Sequence, residues 1–139
     1  MFSDRGELRG IFFEAWNRFQ HREPLDAAQA LVVQVALRHP EYHEILERAD
    51  AYRDHDYLPD AGATNPFLHL GLHIALEEQI GMNRPPGIRD CYQRLCHASG
   101  DEHQAQHRMI DCLAEALWQA ERTGHTPDEE SYLRCIERL

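Results

Sequence analysis

No segment of this 139-residue chain alternates polar and apolar residues; apolar residues recur every three to four positions nearly from end to end. That period places them on one stripe of a helix and cannot line one face of a strand. Leu8, Ile11, Phe12, Ala15, Trp16 and Phe19 form the first such stripe, with Ser3 or Asp4 placed to cap it. A second helix is expected over 25–38, carrying Leu31, Val32, Val35 and Ala36; its valines are mediocre helix formers, so burial must hold it. Pro40 either kinks that helix or starts another, which continues over 41–52. Residues 55–64 read as a loop. Asn65 followed by Pro66 starts a helix that reaches about residue 80, and 83–87 form a rigid connection. A shorter helix over 88–98 is ended by Gly100. Asp101 and Gln104 read as a capping box for a helix running to Thr123 and stopped by Gly124, and Thr126, Pro127 and Glu129 open the last one. The expected fold is all-α: a compact bundle of about five to six helices in a single domain, 1–139.

Ten of the 139 residues are histidine, and six of them fall into a repeated spacing. His39, His43 and Glu47 lie four apart, as do His69, His73 and Glu77, and His103, His107 and Asp111. Residues four apart stack on one helix face, so each segment offers two imidazoles and a carboxylate in a column. Chance gives such a triplet about 0.1 times in a chain of this composition; three occur. Neutral imidazole and carboxylate are donors that zinc, iron, copper and nickel accept. On an ideal helix with His69 at zero, His73 falls at about 40° and Leu76 at about 340°, so both histidines sit within the apolar face and Glu77 lies at its edge. With His107 at zero, His103 falls at about 320°, Ala114 at about 340° and Trp118 at about 20°, again inward, with Asp111 near the rim. His43 lies to one side of the Tyr42–Leu46–Ala49 face, which makes the first column the weakest.

A single inward histidine is more often a hydrogen-bonded core residue than a ligand. Four inward histidines on two helices all need partners for their ring nitrogens, and a metal ion satisfies several at once. The expected ligands are therefore His69, His73, His103 and His107, with Glu77 and Asp111 as added or bridging carboxylates and His39 and His43 as further candidates. The expected cofactor is a transition-metal ion, iron or zinc, mononuclear or dinuclear. The rival readings are a metal-free interaction or homodimerisation module with a buried histidine–carboxylate network, and a haem pocket. Catalysis, storage and sensing are not separable from the sequence.

The remaining signals are mostly exclusions. The 24 acidic and 14 basic residues give a net charge of -10, and every basic residue is arginine, which excludes lysine chemistry. An acidic chain with scattered arginines makes a poor nucleic-acid partner. No apolar run suits a membrane span and no signal peptide is evident, so the expected location is the cytoplasm. Cys91, Cys96, Cys112 and Cys135 lack metal-site spacing and read as reduced core thiols. Gly71, inside a helix, reads as a site of close helix packing; Trp16 and Trp118 read as core anchors.

At HPEYH (39–43), NPFLHLGLHIALEEQ (65–79), PPGIR (85–89), EHQAQHRMIDCLAEALWQA (102–120) and PDEESYL (127–133), the chain resembles domain-of-unknown-function family 1841. The resemblance implies a small bacterial cytoplasmic protein and supplies no activity or catalytic residues. A looser similarity is to hemerythrin-like and DinB-like bundles, where several helices contribute histidines and carboxylates to a metal site. His73 with Glu77 matches one hemerythrin pairing and His103 with His107 another, but His69 and the order of segments depart from that pattern. This is a likeness of sites, not membership.

Overall fold

A computed structural model describes residues 5–57 and 65–139. Every regular element among them is helical: α1 (Arg5–Gln20), α2 (Ala27–Leu37), a 3-10 turn (Pro40–Tyr42), α3 (His43–Leu46), α4 (Ala49–Tyr52), α5 (Pro66–Met82), α6 (Ile88–Ser99), α7 (Glu102–Thr123) and α8 (Glu129–Glu137). The all-α expectation holds, with eight α-helices among the described residues where five to six were expected. The two extra ones are single turns, because residues 41–52 do not run as one helix. The expected cap at Ser3 or Asp4, and residues 58–64 of the expected loop, lie outside the described residues. No described helix is long and apolar enough to cross a membrane. The chain divides into two compact units, 1–74 and 75–139.

In the first unit α1 and α2 pack against each other. Phe13, Trp16, Val35, Ala36, Leu46, Phe67 and Leu70 form its main buried cluster, and Ala15, Val32 and Val33 form a second. Burying each of the larger side chains contributes roughly 1.5–3 kcal/mol. This offsets the poor helix propensity of the α2 valines. Phe67 meets Phe12 and Phe13 edge-on, with ring centroids 5.9 and 5.5 Å away. The capping box is on α2: Asp26 accepts from Gln29 N, and the Gln29 side chain accepts from Asp26 N. Buried Arg9 donates from Nη1 to the carbonyls of Tyr52, Arg53 and His55 at 3.1, 3.1 and 2.7 Å, satisfying the exposed end of α4.

The chain between α2 and α4 breaks at two residues of similar geometry, His39 (φ -128°, ψ 67°) and Arg48 (φ -127°, ψ 64°). Pro40 explains the first break, since a residue before proline is driven out of the helical region. One consequence is that His39, His43 and Glu47 do not form a column on one helix face.

In the second unit α7 packs against α6 and α8, and α6 against α8. Its buried residues include Leu76, Ile88, Leu95, Met109, Leu113, Tyr132 and Ile136. α6 and α7 each end on a left-handed glycine, Gly100 and Gly124, both at φ 73°. This is the conformation that closes a helix and suits a residue without Cβ. Asp101 caps α7 by accepting from His103 N, not through a box with Gln104. Asp128 caps α8, accepting from Glu130 N, Ser131 N and the Ser131 hydroxyl. The hydrogen bond from the Ser131 side chain, then that from its backbone, hold the Asp128 carboxyl below its usual range. Cys112 and Cys135 form a disulfide joining α7 to α8, with Cα atoms 5.8 Å apart; only Cys91 and Cys96 are free thiols. The expectation of four reduced thiols fails because a pairing made by helix packing leaves no spacing signal in the sequence.

Candidate metal centre

α5 begins as its sequence dictates. Asn65 Oδ1 accepts from Phe67 N and Leu68 N, and Pro66 occupies the first turn, where a missing N–H costs nothing. The helix then alternates anchors and histidines: Phe67, Leu70, Leu72 and Leu76 are buried, His73 is 1% exposed, and His69 is half-buried one turn earlier. The Nε2 atoms of His69 and His73 are 3.2 Å apart. Two ligands on one tetrahedral ion at the usual zinc–nitrogen bond length would stand about 3.3 Å apart.

His39 joins these two within the first unit. Its ring centroid lies 5.0 Å from that of His69 and 4.7 Å from that of His73, and the residue is 1% exposed. His39 Nδ1 lies 2.9 Å from the Val35 carbonyl, which can only accept, so Nδ1 carries a proton and, in the neutral tautomer a metal requires, Nε2 is the donor atom. Tyr42 stacks on the outer face of His39, at 5.5 Å and 5° between ring planes. A cluster of three imidazoles, one with its tautomer and orientation fixed by a backbone carbonyl, can hold a transition-metal ion.

His43 is placed elsewhere. Its Nε2 donates to the Ala36 carbonyl at 2.7 Å, and its ring lies on Trp16 with centroids 4.4 Å apart. Glu47 is exposed. The 3-10 turn sends the two neighbouring histidines in different directions: one into the cluster, the other into a structural cap of α2.

In the second unit His103 and His107 stand one turn apart on α7 with ring centroids 4.1 Å apart, both half-buried. Glu77 Oε1 accepts from Gln106 Nε2 at 2.7 Å, and Gln106 is 1% exposed, so this carboxylate is held in place. On α7 the hydropathy expectation fails at Ala114 and Trp118, which are exposed, and holds at Ile110. The buried stripe of this helix comprises Ala105, Gln106, Met109, Ile110, Cys112 and Leu113. From Met109, His103 lies at about 120° and His107 at about 160° on an ideal helix, on the flank of that stripe. Asp111 falls at about 200° and is exposed, as are Ala114 and Trp118. Trp118 is thus no core anchor; its ring carries the Arg122 guanidinium 4.7 Å from its centroid. A buried glutamine, Gln106, lies on that face beside the apolar residues, and hydropathy does not announce it.

His39, His73, His103 and His107 each offer a ring nitrogen of the kind metal ions take, the first two from buried residues and the last two from half-buried ones. Supporting residues that the sequence did not disclose are Tyr42, stacked on His39, and Gln106, bound to Glu77. His21, His55, His97 and His125 are exposed, and His21 Nδ1 donates to the Asn17 carbonyl at the end of α1. Gly71 is not a packing contact: nothing described lies within 4 Å of where its Cβ would stand.

Comparison with curated proteins and with solved structures gives no match. Residues 4–138 match one protein family across nearly the whole chain, and the protein therefore belongs to the family described as domain of unknown function (DUF1841).

Proposed function

We propose that this protein is a transition-metal-binding helical protein whose ion is held in the first unit by the imidazoles of His39, His69 and His73. The observation that carries the reading is the buried first-unit cluster. His39 presents Nε2 because Nδ1 is committed to Val35, and His73 and His69 bring Nε2 atoms to ligand-like separation. Imidazole-rich sites suit zinc or iron. With iron, a coordination position left open would admit dioxygen or peroxide.

The test is reconstitution with cobalt(II), a spectroscopic stand-in for zinc. Saturation at one ion per chain, with ligand-field bands lost in His39→Ala and in His73→Ala, supports the reading; an unperturbed aqueous cobalt spectrum contradicts it. The metal-free network is the second reading, favoured by one observation: 3.2 Å is also an ordinary hydrogen-bond length between a protonated and an unprotonated ring nitrogen. The same titration separates the two.

A further inference from the structure

The disulfide is the one covalent link between helices that the sequence did not disclose, and it lines a cavity of about 610 Å³ between α7 and α8. Glu115, Gln119, His125, Asp128 and Tyr132 are among the other residues around that cavity. Its size is that of a small-molecule site, and its charged walls carry two carboxylates. The two sulfurs differ in access: Cys112 is 3% exposed and Cys135 is half-buried.

We propose that Cys112–Cys135 is a thiol-exchange site for a small thiol bearing a positive charge, with Cys135 as the sulfur attacked. An incoming thiolate bonds to Cys135 Sγ, the Cys112–Cys135 bond breaks, and Cys112 leaves as a thiolate that takes a proton from water. A second thiol attacks the small-molecule sulfur of the mixed disulfide, which frees Cys135 as a thiol. Two small thiols are oxidised to their disulfide, and the protein disulfide is reduced by two electrons. The carboxylates of Glu115 and Asp128 favour a cationic thiol over a neutral one. α8 keeps its other holds: Tyr132 donates to Gln79 Oε1 at 2.6 Å, Ile136 is fully buried, and Arg94 reaches the Ile136 carbonyl at 3.4 Å. Exchange therefore loosens this helix without unfolding the unit. Cys91 and Cys96, both free, provide internal controls.

The experiment exposes the native, untagged, oxidised chain to cysteamine or to neutral 2-mercaptoethanol, each rate being normalised to that thiol's rate on a small disulfide. The products are mapped by mass spectrometry after acid quench. The expected result is opening of Cys112–Cys135 without denaturant, about tenfold faster with cysteamine at low salt, a mixed disulfide on Cys135 in Cys112→Ser when that variant is given cystamine, one half of which leaves as a thiolate, and faster amide exchange confined to 129–137. Wild-type protein quenched early gives the same adduct if that variant does not fold. Opening only in denaturant, four thiols in the oxidised protein, no preference for the cationic thiol, or an adduct on Cys112 would each overturn the proposal.

Discussion

His69 and His73, one turn apart on α5, bring their Nε2 atoms to 3.2 Å, and the more buried of the two, His73, also lies against His39. Two ring nitrogens approach this closely only if a proton or a cation lies between them, because two lone pairs repel. His43, beside that cluster, differs from it: its Nε2 is committed to the Ala36 carbonyl and its ring to Trp16.

His73→Ala and His43→Ala should differ in kind. Removing His73 deletes a proposed ligand, and metal affinity should fall by more than the roughly 10–100-fold typical of a supporting residue. Removing His43 deletes a cap on the Ala36 carbonyl and a ring on Trp16. It should cost about 1–3 kcal/mol of stability and leave metal affinity unchanged. Chelator competition and urea denaturation on both variants give the comparison.

Arg9→Met should be among the most damaging substitutions outside the cluster. It leaves the carbonyls of Tyr52, Arg53 and His55 without their shared donor. The guanidinium's stacking over Phe67, at 4.6 Å, goes with it. A loss of about 3 kcal/mol is expected, read as a lower urea midpoint; a change within about 0.5 kcal/mol would show that the anchor is dispensable.

Gly71→Ala should stabilise the protein by roughly 0.5–1 kcal/mol, because α5 gains helix propensity and the new methyl meets open space. A lower midpoint would mean that the space beside His69 and His73 is needed.

The Asp128 cap should give stability a signature at acid pH. Its carboxyl is held below the usual range, so the folded state binds its proton less readily than the unfolded one. The contribution is present above the ordinary carboxylate pKa of about 3.9 and fades as pH falls through the lower folded value. Asp128→Asn should therefore melt below wild type near neutrality and converge with it under acid conditions. Parallel melting curves at every pH would show that the charge contributes nothing.

These cases also show how far the sequence could be read. Asn65–Pro66, Gly100 and Gly124 act through their own backbone chemistry, so the helix ends they set were legible. His69 and His73 were legible because apolar neighbours on both sides of their stripe left no other orientation for α5. His39 was harder: it is buried by a break in the chain at Pro40, which a helical wheel cannot represent. Ala114 and Trp118 were misaimed because α7 carries two plausible stripes: Gln106, Ile110 and Cys112 belong to the buried one, His103 and His107 are half-buried on its flank, and Trp118 marks the exposed side. The disulfide depends on two helices meeting, and no local pattern encodes it.

Metal content tests the central claim most directly. Untagged protein, reconstituted in turn with iron, zinc, manganese, nickel and copper and then freed of loosely bound ions, should retain at least about half an equivalent of one of them, and should release it as pH is lowered because protons compete for the imidazoles. The variant His39→Ala/His73→Ala should retain none. Less than about a tenth of an equivalent with every ion, in folded protein, would contradict the account and leave the histidines as a hydrogen-bonded network.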